Sequence, residues 1–180
     1  MKGKTGGHRP APTVDRQVKI PPTMNQTVPA KTGVPDRSEL LARAARIRPI
    51  LEANAEETDR LRRLADANVQ GLRETGLCRL MAPRRMGGYE TDIRTYIAVM
   101  AELGQGCGST AWTASLLNAC AWLAGLFPER AQSDVWGTNA DAWIAGSLAP
   151  RGEARAVEGG WIVNGRWPWA SGCLHAAKGC

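Results

Sequence analysis

Histidine, tyrosine and phenylalanine are scarce in this chain, with two, two and one copies in 180 residues. His8 sits in a basic, proline-rich N-terminal stretch, so His175 is the one imidazole left for chemistry, and a histidine-based metal site is not expected. The five cysteines, Cys78, Cys107, Cys120, Cys173 and Cys180, have no C-x-x-C spacing and are odd in number. They support neither a zinc site nor a disulfide framework. No G-x-S-x-G elbow accompanies His175, which argues against a Ser/His/Asp hydrolase. Uninterrupted apolar runs are also missing: the longest apolar stretch, Ala111 to Phe127, is broken by Thr113, Ser115 and Asn118, so no transmembrane helix is expected. The basic N-terminus has no apolar segment behind it, and the expectation is a cytoplasmic protein without a secretory signal or membrane contact.

The net charge of +6 is concentrated at one end. Residues 1–35 carry six Lys/Arg and one Asp, whereas the remainder is nearly balanced at 17 against 16. With Pro10, Pro12, Pro21, Pro22, Pro29 and Pro35 and few large apolar side chains, this segment cannot bury enough surface to order itself, and a disordered tail over 1–35 is expected. Clustered arginines with interleaved aromatics are absent from it, so nucleic acid is not an expected partner.

Helical periodicity begins at Pro35-Asp36-Arg37-Ser38, where Asp36 or Ser38 caps a helix with Leu40, Leu41, Ala44, Ala45, Ile47 and Leu51 as its apolar residues; Pro49 is a kink or break point. A second helix is predicted over 53–75 and stopped by Gly76, with its many charges on a solvated face. Leu77 to Pro83 reads as a short extended connection. The loop Arg84-Arg85-Met86-Gly87-Gly88-Tyr89 has paired glycines but lacks the flanking pattern of a nucleotide loop. A third helix over 92–103 takes Asp92 as cap and Ile93, Tyr96, Ile97, Met100 and Leu103 as its buried stripe. Gly104, Gly106 and Gly108 are expected to break the chain. A fourth helix, opened by Ser109 or Thr110 and apolar nearly all round to Leu126, is expected at the centre of a helical layer. Its Thr113, Ser115 and Asn118 then require partners or a cavity. Pro128 opens a further short helix through Trp136.

From Ala142 the period changes to that of strands: Trp143 to Leu148, then Ala154 to Val157, then the stretch Gly159 to His175. There Trp161-Ile162-Val163 reads as a strand, Asn164-Gly165 as a hairpin turn and Arg166 to Trp169 as the return, with Pro168 unsuited to a central ladder. Ala170-Ser171-Gly172 follows, where small residues let a ligand approach the backbone. Two indoles beside a hydroxyl suit a planar heteroaromatic ligand; a tryptophan-rich hairpin that merely fills a core fits the same pattern. Helices first and antiparallel strands afterwards define an α+β chain: a tail over 1–35, a helical domain over 36–140 and the beginning of a β domain over 141–180. Four short strands leave an unpaired edge, so the β domain is expected to be incomplete.

The series Gly104-Gln105-Gly106-Cys107-Gly108-Ser109-Thr110-Ala111-Trp112, then Ala145-Gly146-Ser147-Leu148-Ala149-Pro150-Arg151-Gly152-Glu153-Ala154, then Gly159 to Trp167 with Ala170-Ser171-Gly172-Cys173, resembles the acyl-CoA-dehydrogenase-fold flavin monooxygenases. These are oxygenase components of two-component hydroxylases, acting on 4-hydroxyphenylacetate, phenolic steroid-ring intermediates and related aromatics. The resemblance spans about residues 36–177. It implies a helical N-terminal domain, a middle β domain and a C-terminal four-helix bundle in a homotetramer, of which this chain would be the N-terminal fragment. It further implies reduced FMN or FAD, delivered by a separate NAD(P)H-dependent reductase, with O2 as co-substrate and a C4a-hydroperoxide that hydroxylates an aromatic or polycyclic small molecule. In such a site Ser171 lies near flavin N5 and is the catalytic candidate. Trp169 and Gly172 shape the ring site, Ser147 borders flavin or substrate, and Trp112 and Cys120 face the substrate.

One departure stands out. Phenol-hydroxylating members often carry histidine where this chain has Cys120, and a thiol is a poor substitute for imidazole as a phenol partner. That weakens phenol as the substrate. Two other readings stay open on sequence: an acyl-CoA dehydrogenase oxidising a thioester with bound FAD, and a non-catalytic helical interaction module or degenerate remnant.

Overall fold

Asp36 opens the ordered helices. Its carboxylate accepts from the Glu39 backbone N–H at 2.8 Å and from the Ser38 hydroxyl at 2.6 Å, which holds the carboxyl below its usual range and fixes the start of α1 (Arg37–Ala53). In this computed structural model residues 33–149 and 151–179 are described; the expected disorder before residue 33 lies outside them. Helix α1 runs through Pro49, which is exposed, and ends at Asn54 rather than at the proline. Leu40, Ala44, Ile47 and Leu51 are its buried side chains, as the spacing predicts.

The predicted helix over 53–75 is two helices, α2 (Ala55–Leu61) and α3 (Asp66–Thr75). The break is at Arg62, whose backbone is left-handed with φ 55°. Tertiary burial decides it: Leu64 and Ala65 turn into the core at 3 % and 2 % exposure, and the buried Thr58 hydroxyl accepts from the Ala65 N–H at 3.2 Å. Gly76 stops α3 as expected. The connection from Leu77 is not extended; residues 77–79 and 84–86 form single 3-10 turns.

Helix α4 (Ile93–Gly106) starts on the Asp92 cap. Its buried residues are Thr95, Val99 and Leu103, while Ile93 and Ile97 are 57 % and 58 % exposed. The expected stripe is therefore corrected. Apolar side chains occupy two faces of α4, about 200° apart for residues two positions removed, and packing against α1 selects one. Gly104 and Gly106 do not break the chain. A Cβ on Gly106 would lie 2.7 Å from the Arg48 carbonyl, so the absence of a side chain lets α4 close on α1. Cys107, with extended backbone, separates α4 from α5 (Gly108–Gly125).

Helix α5 is central on one side only: Thr110, Ala114, Leu117, Asn118 and Ala121 are buried, but Trp112 and Trp122 are exposed. Asn118, fully buried, donates to the carbonyls of Leu77 and Ala114, both at 2.9 Å, and accepts from the Met81 N–H at 3.3 Å. Asn68 on α3 donates to the Thr110 hydroxyl at 3.0 Å. The main core gathers Leu40, Leu51, Leu72, Leu80, Val99, Leu103, Leu117 and Trp143; fully burying each such side chain contributes about 1.5–3 kcal/mol. Helix α6 (Glu129–Trp136) closes a smaller cluster around Trp136 and Ile144.

The strand predicted from Trp143 shortens to β1 (Ile144–Ala145). The antiparallel hairpin pairs β2 (Gly152–Val157) with β3 (Gly160–Gly165), Ala154 opposite Val163 and Arg155 opposite Ile162. Its turn is Glu158-Gly159, not the predicted Asn164-Gly165, because Gly159 supplies the positive φ of 80°. Residues 166–169 form no return strand. The last strand, β4 (Lys178–Gly179), pairs in parallel with β1. The chain thus has an α+β arrangement: a helical layer followed by the parallel β1–β4 pair and the antiparallel β2–β3 hairpin. Among the described residues, no helix is long and apolar enough to cross a membrane.

Candidate functional site

The loop 169–176 is shaped by its own turns. The N–H groups of Cys173 and His175 donate to Ala170 O at 3.0 Å and Gly172 O at 2.9 Å, and Ala177 N–H donates to Trp143 O at 3.0 Å, tethering the loop beside β1. Gly172 has φ +86°, and a Cβ there would meet Leu117 at 2.8 Å and the Thr113 methyl at 3.3 Å. A glycine is what lets this loop lie against α5.

Where the loop meets the start of α5 and the α2–α3 bend there is a cleft of about 550 Å³. Ser171, Gly172 and Trp112, all singled out from sequence, line it together. Trp112 leaves its indole 62 % exposed. The Ser171 side chain has no hydrogen-bond partner among the described residues, so its hydroxyl is uncommitted. The other three sequence candidates lie outside this cleft. Trp169 points to solvent, 91 % exposed, with φ 64°. Ser147 follows β1, and its hydroxyl accepts from the Ala149 N–H at 3.4 Å. Cys120 packs half-buried beside the Trp136 cluster, where burial pushes its thiol pKa up.

Three further residues of the cleft were not candidates. His175 lines it with a buried Nε2 that has no hydrogen-bond partner; burial first, and the Arg63 guanidinium second, lower its pKa and favour neutral imidazole. Its place four residues after Ser171 was the available signal. Arg63 and Arg62 read as part of a solvated helix face, and only the bend at 62 brings them here. Arg63 pairs with Asp66 at 2.6 Å, holding that carboxyl below its usual range.

The helical layer, α1 to α6, defines the class. Residues 41–138 match the family described as Acyl-CoA dehydrogenase, N-terminal domain, and the chain belongs to it. It is similar to the flavin-dependent monooxygenase oxygenase subunit HsaA of Rhodococcus jostii (strain RHA1), 42% identical over 129 residues, covering 72% of this chain and 34% of that protein. The FADH(2)-dependent resorcinol hydroxylase oxygenase component of Rhizobium sp. (strain MTP-10005) is 38% identical over 137 residues, 76% of this chain and 34% of its own length. Among solved structures, XiaF from Streptomyces sp., in complex with FADH2 and glycerol, superposes with a TM-score of 0.76 at 35% identity, covering 78% of this chain and 35% of that one. The chain spans about a third of the length of the curated relatives it matches.

Proposed function

We propose that this chain is the N-terminal part of a flavin-dependent monooxygenase, the oxygenase component of a two-component system, hydroxylating an aromatic or polycyclic small molecule. The observation that carries it is the cleft that brings Ser171, Gly172 and Trp112 together in a chain whose relatives named above are a flavin-dependent monooxygenase and an FADH(2)-dependent hydroxylase. Those relatives favour this reading over thioester oxidation. In the same reading, residues 36–140 are the helical domain and 141–180 belong to a β domain, a separate NAD(P)H-dependent reductase is the partner, and the whole enzyme is a cytoplasmic homotetramer.

The residues present fit a flavin ring. The cleft volume lies within the roughly 300–1,000 Å³ of small-molecule sites, an exposed indole offers a stacking face, and the uncommitted Ser171 hydroxyl offers a polar contact. Reduced FMN or FAD, when bound, supplies the electrons that activate O2. Ser171 Oγ would hydrogen-bond the polar edge of the ring, while Trp112 and Gly172 set its plane and depth. Thr113 and Leu117, packed under Gly172, exclude water from beneath the loop. Neutral His175 lines the cleft without adding charge to it. Ser147, Trp169 and Cys120 are assigned the outer rim of the flavin and substrate region, which further parts of the enzyme would complete.

The test is anaerobic titration of the chain with reduced FMN and reduced FAD, read by tryptophan fluorescence. Saturable quenching is expected, diminished in Trp112→Leu and with Kd raised roughly three- to tenfold in Ser171→Ala, the worth of one ordinary hydrogen bond. Absence of saturable quenching, or quenching unchanged in both variants, overturns the assignment of the cleft.

A further inference from the structure

A second cavity, of about 730 Å³, lies where the start of α1, the end of α3 and the loop 84–89 meet. Five arginines line it, Arg43, Arg46, Arg73, Arg79 and Arg84, against the carboxylates of Glu39, Glu74 and Asp141. Two of the arginines are neutralised in place: Arg43 by Glu39 and Arg79 by Asp141, the latter at 2.6 Å. Glu74 is engaged by the Gln70 amide at 2.6 Å. The lining therefore holds an excess of two positive charges.

Of the other three, Arg73 is spent on the His175 carbonyl at 3.1 Å and on the Trp143 ring, whereas Arg46 and Arg84 keep most of their donors free. Arg46, exposed, makes no hydrogen bond or ion pair among the described residues. Arg84 uses only Nε, on the Tyr89 carbonyl at 3.2 Å. The buried Arg79, 8 % exposed, spends Nη1 on Asp141 and Nη2 on the Gly87 carbonyl and serves to fix the wall. The cluster is also held in shape. The guanidinium carbons of Arg43 and Arg79 lie 5.9 Å and 5.2 Å from the Tyr89 ring centroid, and the Tyr89 hydroxyl accepts from Arg43 at 3.2 Å. Arg46 and Arg84 add two guanidinium groups without a carboxylate partner to this wall, and a bound anion offsets their repulsion. Their planar forks match phosphate oxygens two at a time, and a concave wall of net positive charge concentrates anions.

We propose that this cavity binds a phosphate or diphosphate group, carried by a free polyphosphate or by a nucleotide. The site is separate from the cleft at Ser171, and its test does not use flavin. The full chain is titrated by calorimetry with inorganic pyrophosphate and, separately, with ADP, at matched ionic strength in NaCl. Saturable binding is expected, weakened at least about tenfold in Arg46→Glu/Arg84→Glu and unchanged in the charge-matched control Arg94→Glu/Arg130→Glu. All four side chains are exposed, and Arg46→Gln, which is expected to weaken binding without reversing charge, covers loss of folding in the double variant. Tighter binding of ADP assigns a nucleotide, and equal or tighter binding of pyrophosphate assigns the free anion. Heats that do not saturate, or equal loss in cavity and control variants, overturn the site.

Discussion

Arg73 Nη2 donates to the backbone carbonyl of His175 at 3.1 Å, joining residues 102 positions apart, while its guanidinium carbon lies 4.1 Å from the centroid of a Trp143 ring. One side chain of α3 thus clamps the site loop against the strand beside it. Replacing it with alanine removes a hydrogen bond and a cation–π contact, together about 1–2.5 kcal/mol. Arg73→Ala is expected to raise amide hydrogen exchange in 170–177 while leaving α1 and α4 protected. Equal loosening everywhere would show a global role instead.

Gly172→Ala places a Cβ 2.8 Å from Leu117 at a φ that side chains rarely adopt. The expected cost is about 1–3 kcal/mol, seen as a lower midpoint in denaturant, with loss of the tryptophan quenching by flavin. Retained quenching at wild-type affinity would mean that the close packing of loop on α5 is not needed for the ring site.

Asn118→Ala leaves the Leu77 carbonyl and the Met81 N–H without their buried partner. Destabilisation of roughly 2–4 kcal/mol is expected in urea unfolding, and Asn118→Leu does not recover it, because the missing term is polar rather than volumetric.

The two faces of α4 give a paired comparison. Val99→Ala, at a fully buried position, is expected to cost about 1–2.5 kcal/mol, whereas Ile97→Ala stays within about 0.5 kcal/mol. Equal costs would place Ile97 in a contact that the helical layer does not make.

His175 carries a pH signature. Its folded pKa lies below the ordinary histidine value of 6.5 because of burial and then Arg63. The unfolded chain therefore binds the proton more readily between the two values. Stability is fully present above pH 6.5 and is lost as pH falls through the folded pKa. Chemical denaturation across that window is expected to show this slope in the wild-type chain and a flatter one in His175→Gln.

Local chemistry made much of the fold legible. Asp36 and Asp92 cap helices through bonds to backbone N–H groups at most three residues away, Gly76 ends α3 by its own backbone freedom, and the spacing of Leu40, Ala44, Ile47 and Leu51 marks the buried face of α1. All of that is written within one or two helical turns. The spaced motifs around Trp112, Ser147 and Ser171 likewise carried the resemblance to acyl-CoA-dehydrogenase-fold enzymes, to whose N-terminal domain family the chain belongs.

What the sequence left undecided turns on partners far along the chain. An apolar residue on either face of α4 satisfies the helical period, and only packing against α1 chose Val99 over Ile97. Asn164-Gly165 and Glu158-Gly159 are both workable turns, and pairing with residues 152–157 chose the second. The break at Arg62 follows from burying Leu64 and Ala65, from the bond of the Ala65 N–H to Thr58 and from that of Asn68 across to Thr110 on α5. By making that break, the tertiary structure brought Arg62 and Arg63 up to His175, Ser171 and Trp112. Composition and caps determined that helices precede strands and where several of them begin; long-range burial determined which of their side chains share a cleft.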